Sequence, residues 1–456
     1  MTVDPIAAVL TPPAYQLLEQ LTGHEDAATV LADADVDSTT RAALLTQLEL
    51  RERGVEKFGK WAAQLLFTRD GLEQATHLQI ATLHAQRYLD AGVKVVADLG
   101  CGIGANAFTL AGLGLQVRAW DRDPQAVAAA LVNLRFFPDC TVQLGDVTDL
   151  SVQQMAEDGV EAIFADPARR TGAKGGNRRI LDPHKWSPTL DQVLGWGQTL
   201  AEGGVERLGV KVAPGLDYRF IPSHYRAQWI SRGSAVADAS LWSPGLALEG
   251  PGRTAVALGA DGPLRLSFDG DPQSPAERVP VGKLGEYLWE PDGAVIRAGT
   301  LAQFAASAGA SGCVSENIAY LTADAPPAGQ WARGAACFRV LDVVPLKTKT
   351  LTSAVREFCA ERAVSSVEVK KRGAQVDPGA LQKHLNKVVR ASGGKVASAA
   401  ASGPAAGGAE SGKTAGPTAS SAATTASPTA PAPQVLTVVL TRVAGRHRAI
   451  LCERCH

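Results

Sequence analysis

The sequence predicts an alternating α/β fold built on a parallel sheet, and three observations carry that prediction. Four apolar runs end at or beside Asp98, Asp121, Asp146 and Asp166, spaced 23, 25 and 20 residues apart. Each interval has room for a strand, a helix and two short connections. Gly100, Gly102 and Gly104 follow the first run. Glycines there let the chain turn sharply from strand to helix and approach a ligand where side chains would block it. Between the runs, residues 124–136 place Ala and Leu on one helical face behind an Asp123-Pro124 start.

The elements follow in chain order. Residues 1–90 read as mainly helical, with helices at 39–50, 57–67 and 72–89. Residues 91–260 carry the sheet. Its first strand, from Val95, ends at Asp98, and the second, 115–120, ends at Asp121 and Asp123. The following helix carries Asn133. Strand 142–144 ends at Gly145-Asp146, and strand 160–165 ends at Asp166-Pro167-Ala168-Arg169-Arg170. Lys211-Val212-Ala213-Pro214-Gly215 reads as a fifth strand tip. A Pro/Gly-punctuated segment, 261–345, with a helix at 299–309, reads as a small α+β insert. The last module, 346–456, has a late strand at 435–441. It is interrupted by residues 397–433, almost wholly Ala, Gly, Ser, Thr and Pro. Such a tract buries too little apolar area to offset its ordering entropy, so disorder is expected there.

Asp98-Leu99-Gly100-Cys101-Gly102-Ile103-Gly104 resembles the first motif of class I S-adenosylmethionine (SAM)-dependent methyltransferases. Gly100, Gly102 and Ala105 also satisfy a dinucleotide-binding pattern, with an acid about 20 residues on, which leaves an oxidoreductase as a distant alternative. Asp98, two residues ahead of the first glycine, and the extra Gly104 favour the methyltransferase. Asp166-Pro167-Ala168-Arg169 falls where nucleic-acid methyltransferases carry Asp/Asn-Pro-Pro-Tyr or Asp-Pro-Pro-Arg. Together with Leu72-Glu73-Gln74-Ala75-Thr76 upstream and Glu368-Val369-Lys370-Lys371-Arg372-Gly373 downstream, the chain resembles bacterial class I methyltransferases with a THUMP-like C-terminal domain. The match spans roughly residues 50–455.

That resemblance implies a Rossmann-like sheet, a helical N-terminal region and a small α+β THUMP-like domain. It implies SAM as cofactor and RNA, tRNA or rRNA, as partner. Asp98, Gly100, Cys101, Gly102 and Gly104 would line the methionine side. Asp121 would accept the ribose hydroxyls, a task suited to its two acceptor oxygens, and Asp146 would take the adenine amine. Asp166, beside the cofactor, would face the transferred methyl with Pro167 and Arg169.

Methyl transfer needs an in-line nucleophile held in a site that excludes water. In the Asp-Pro-Pro-Tyr enzymes an aromatic ring stacks on the target base, whereas Ala168 and Arg169 stand in those places here. Arg169 itself or Trp186 would have to substitute. Enzymes that attack uracil through cysteine need an exposed thiol near the fourth strand, and no cysteine lies between Cys140 and Cys313. Arg170 and Arg178, in a basic, glycine-containing loop, are candidates to grip substrate phosphate. Residues 345–396 hold eleven Lys/Arg against four acids, a balance of +7, and make Lys370, Lys371 and Arg372 candidate RNA contacts. A small-molecule or protein methyltransferase, or a SAM-binding protein without turnover, remains the alternative.

Composition narrows the class. The 456 residues are 45% hydrophobic and carry a net charge of −1, which suits a multi-domain globular protein. The N-terminus has no basic stretch followed by an apolar one, and no apolar run reaches membrane-spanning length. Seven scattered cysteines suit reduced thiols in a cytoplasm. Cys452-Glu453-Arg454-Cys455-His456 matches a haem-attachment string but lacks its context, and no metal site is expected.

Overall fold

The structure, a computed structural model, describes residues 5–169, 180–202, 204–392 and 434–455. Arg170, Arg178 and the tract expected to be disordered, 397–433, lie outside the described residues. The chain divides into two compact units: Met1–Glu277 with Asp292–Thr300, and Arg278–Pro291 with Leu301–His456.

The first unit opens with α1 (Pro5–Val9), α2 (Pro12–Leu21), α3 (Ala27–Asp33), α4 (Ser38–Phe58), α5 (Arg69–Gln74) and α6 (Leu78–Asp90). The helices expected at 57–67 and 72–89 take a different form. Residues 57 and 58 close α4, a 3-10 turn follows at Gly59–Gln64, and the second helix breaks at 75–77. Lys57 explains the break: its Nζ donates to the carbonyls of Leu72, Glu73 and Ala75 at 2.8, 2.7 and 2.9 Å. A cation gathering the last carbonyls of a helix ends it.

The sheet strands and their helices follow as β1 (Val95–Leu99), α7 (Ala105–Gly112), β2 (Gln116–Asp121), α8 (Pro124–Asn133), β3 (Thr141–Leu144), α9 (Val152–Glu157), β4 (Ala162–Ala165), α10 (Leu190–Leu200) and β5 (Leu208–Lys211). Four more strands extend the sheet: β6 (Arg226–Arg232), β7 (Ala235–Trp242), β8 (Gly252–Leu258) and β9 (Leu264–Asp269). The order is β3-β2-β1-β4-β5-β7-β6-β8-β9, with β1 to β5 parallel and β7 antiparallel to β5. The strand order reverses at β1, and in open α/β sheets that switch point marks the ligand crevice at the carboxyl ends. Register brings the tips level: Asp98 lies opposite Ala119 and Phe164, and Ala165 opposite Val210. Phe67 and Phe164 are wholly buried under the helices and contribute about 2–3 kcal/mol each.

The second unit contains β10 (Tyr287–Pro291), α12 (Leu301–Ala308), β11 (Gly312–Ser315), β12 (Ile318–Ala323), β13 (Ala335–Pro345), α13 (Thr348–Glu361), β14 (Val364–Lys371), α14 (Pro378–Ala391), β15 (Gln434–Val443) and β16 (Arg446–Arg454); the short α11 (Gly293–Arg297) belongs to the first unit. Its sheet runs β11-β12-β10-β13-β16-β15-β14. The edge strand β14 is covered by α14. Asn386 exchanges two bonds with the Val367 backbone, at 2.8 and 3.1 Å, and Gln382 accepts from the Val369 amide at 2.9 Å. Side-chain amides thus occupy an edge that would otherwise invite another strand.

The units cut across the domain limits expected from sequence. β9 carries the first sheet to Asp269, past residue 260, and β10 to β13 share a sheet with β14 to β16 across residue 345. Long-range pairing of β13 with β16 unites the two segments, and no local pattern announces it. Among the described residues no helix is long and apolar enough to cross a membrane, and no three metal-ligating side chains gather.

Candidate active site

The turn after β1 depends on its glycines. Gly100, Gly102 and Gly104 have φ of 86°, 56° and 84°, values that L side chains rarely adopt. Gly100 also admits a close approach: a Cβ there would lie 3.0 Å from the Asp166 carbonyl oxygen. Asn133 on α8 braces the turn by donating to the carbonyls of Ile103 and Leu66, at 2.9 and 3.0 Å. At the β2 tip, the Asp121 carboxylate accepts from the amides of Gly102 and Asp123, at 2.8 and 2.9 Å. Asp146 caps the next turn, where the Thr148 amide and hydroxyl bond its carboxylate and hold it below the usual range. Cys101 is buried, and its thiol is pushed well above the usual value, so it is no nucleophile.

Asp98 is 1% exposed, and neither carboxylate oxygen has a hydrogen-bond partner of good geometry. Burial, and then the like charge of Asp166, push it up to about 7; the Ala107 amide and Lys211 offset only part of this. A buried carboxylate so poorly compensated fits a ligand that brings a cationic donor. Asp121 and Asp146 stand at the adjoining tips, each only partly buried and retaining acceptor lone pairs.

Asp166 follows β4. Its Oδ2 accepts from Lys211 Nζ at 2.8 Å, and its Oδ1 lies 3.6 Å from Arg169 Nη2. Lys211, the last residue of β5, is almost fully buried and also donates to the Thr76 hydroxyl at 3.0 Å and the Gln74 carbonyl at 3.5 Å. Its three protons are thereby engaged, and one of its acceptors is a carboxylate. Pro167 is buried, whereas Ala168 is exposed and its backbone pairs with that of Ser187. Trp186 is 3% exposed, donates to the Ile180 carbonyl and lies beneath the Arg169 guanidinium, 5.9 Å from it. It is a packed ring and offers no stacking face.

Behind Lys211 a polar chain runs inward. The Asn106 amide reaches the Thr76 hydroxyl at 3.5 Å, His84 Nδ1 lies 3.4 Å from the Asn106 oxygen, and His84 Nε2 lies 3.1 Å from Asp238. Ser240 donates to Asp238 at 2.6 Å. Burial alone would raise the Asp238 carboxyl, but His84, Lys211 and Ser240 outweigh it and draw it down to about 2. Sequence reasoning did not find Lys211, Thr76, His84 or Asp238 as a set. A lysine closing an apolar strand was the one local signal.

In the second unit, Lys370 lies 2.9 Å from Glu290 and 3.6 Å from Glu368, while Arg372 donates to the Ala319 carbonyl and stacks 5.0 Å from the Tyr320 ring. Lys371 alone of the three is exposed. A basic stripe also runs along α14, where Lys383, Lys387 and Arg390 are exposed opposite buried Leu385, Val388 and Val389.

Three comparisons bear on this arrangement. Residues 335–398 match the family described as THUMP domain-like. Uncharacterized S-adenosylmethionine-dependent methyltransferases from two strains of Mycobacterium tuberculosis are each 32% identical over 349 residues, 74% of this chain and 86% of theirs. The crystal structure of a methyltransferase candidate from Porphyromonas gingivalis W83 superposes with a TM-score of 0.64, covering 96% of this chain and 98% of that one at 16% identity.

Proposed function

Because this chain belongs to the S-adenosylmethionine-dependent methyltransferases and ends in a THUMP-like domain, we propose that it methylates a base of structured RNA, tRNA or rRNA. SAM is the cofactor and, when bound, supplies an activated methyl group on its sulfonium. Asp98 would pair with the methionine amine, Asp121 would take the ribose hydroxyls and Asp146 the adenine amine, and the turn at Gly100, Gly102 and Gly104 would leave room for the ligand. Asp166, held between Lys211 and Arg169, accepts a hydrogen bond from the attacking group and orients it. Pro167 stiffens the backbone there. Lys211 positions that carboxylate through its bond at 2.8 Å.

The observation that carries the RNA reading is the exposed row Lys383, Lys387 and Arg390, with Lys371 at the β14 end, on a THUMP-like domain. Cations at helical spacing on a face without apolar anchors suit the phosphate backbone. Arg170 and Arg178, four and twelve residues after Asp166 in the sequence, are proposed as further phosphate contacts. All seven cysteines carry free thiols, which supports the cytoplasm as the compartment. The test compares nucleosides of tRNA and rRNA from cells with and without the gene by mass spectrometry. One methylated base should vanish in the deletion and return with the wild-type gene. Identical nucleoside profiles would overturn the RNA assignment.

A further inference from the structure

Beyond Lys211 the chain forms one wall of an open cleft of about 500 Å³ in the first unit, lined by Gly215, Asp217, Tyr218, Arg219, Gln273 and Arg297 among others. A volume of this size accommodates a nucleotide. The cleft begins four residues past the β5 tip. Its rim continues to the Asp166 segment: Phe220 packs against His184 at 5.4 Å, and the Ala168 backbone pairs with Ser187, three residues after His184.

Its charge is unbalanced. Arg297 is exposed, and no described residue pairs with its guanidinium. Its Nη1 lies beside Gly215, 3.9 Å from where a Cβ would stand. Arg219 lies 3.8 Å from Asp217, an exposed and weak pairing. Behind the wall, Arg253 is wholly buried; it donates to the carbonyls of Ala298, Pro272 and Ser274, while its Nη2 has no partner. Asp271 is the other acid within its influence. Among the lining residues, two guanidiniums, of Arg219 and Arg297, therefore face one carboxylate, that of Asp217. Tyr218 is fixed between Arg297 and Arg253: its hydroxyl donates to the Arg297 carbonyl at 2.7 Å, and Arg253 stacks 4.2 Å from its ring. A braced, half-exposed ring beside an unpaired guanidinium suits a base with its phosphate.

We propose that this cleft is a substrate subsite for a nucleotide of the RNA flanking the methylated one, with Arg297 on its phosphate and Tyr218 against its base. The proposal rests on the RNA reading. The experiment measures binding of fluorescein-labelled single-stranded RNA to the full-length protein across 50–200 mM salt, for wild type, Arg297→Gln, Arg297→Lys and Tyr218→Leu, with SAM affinity by calorimetry as the folding control. Arg297→Gln should weaken RNA binding about tenfold and reduce the slope of log K against log salt by about 0.7, the value of one phosphate on a single strand. Arg297→Lys should keep most of that slope, and SAM affinity should stay within twofold for all. Unchanged affinity and slope in Arg297→Gln, while wild type binds RNA, would overturn the subsite alone. Absence of RNA binding by wild type would instead remove the RNA reading, and the subsite with it.

Discussion

Replacing Asp98 with asparagine will stabilise the free protein and weaken its hold on SAM. The carboxyl is 1% exposed and is raised from 3.8 to about 7 by burial and by the neighbouring Asp166 charge. A group whose folded value lies above its unfolded one favours the fold at low pH, and that contribution is lost as pH rises through the folded value. At about 1.36 kcal/mol per pH unit, ionisation costs the native state about 4 kcal/mol above pH 7. The loss accumulates between about pH 4 and pH 7. Urea melts of the ligand-free protein should therefore show Asp98→Asn ahead of wild type by about 2 kcal/mol at pH 5 and about 4 kcal/mol at pH 8.5. Calorimetry should show the reverse order for SAM, since the variant loses an ion pair with the methionine amine. Wild-type affinity should rise through pH 7 as Asp98 ionises, then fall above about pH 8 as an α-amine loses its proton. Equal stability of wild type and variant at pH 8.5 would refute the idea that this carboxylate is held without compensation.

Lys211→Met should lower kcat about a hundredfold while SAM affinity changes less than threefold, because it frees the Asp166 carboxylate to move; steady-state kinetics with labelled SAM would show it, and an unchanged kcat would count against the role. Asp238 is drawn down from 3.8 to about 2, so its contribution is present above pH 4 and lost as pH falls through 2. Asp238→Asn should thus cost about 2 kcal/mol at pH 7, with the gap closing toward pH 2 in denaturation curves. Neutralising Lys383, Lys387 and Arg390 together should reduce the salt slope of RNA binding by about 2, read by anisotropy titrations at several salt concentrations.

The parallel half of the first sheet was legible because its signals are local. Each strand is an apolar run, each tip an acid, and the first turn needs glycine at 100, 102 and 104 whatever lies elsewhere in the chain. Asp98, Asp121, Asp146 and Asp166 could be placed at or beside strand tips for the same reason. What escaped depends on long-range neighbours. Lys211 matters because β5 lies beside β4 and because α5 ends where Thr76 and Gln74 can meet its ammonium, facts of pairing and of the Lys57 clamp rather than of spacing. The end of α5 and the residues after it therefore reach the candidate site, through Gln74 and Thr76. The division between 345 and 346 failed as a structural boundary for a like reason, since β13 finds its partner β16 a hundred residues away. Lys370 and Arg372 looked like free cations in sequence, but Glu290 and the Ala319 carbonyl, which engage them, come from strands that only the folded sheet brings near.

The proposed methyl transfer to RNA at Asp166 can be tested with purified components. Purified protein would be incubated with methyl-labelled SAM and RNA from cells lacking the gene, wild type beside Asp166→Ala, and label counted per nucleoside. Label should enter a single base of tRNA or rRNA with wild type and none with the variant. SAM binding without label in any RNA fraction, or equal labelling by both proteins, would contradict the proposal.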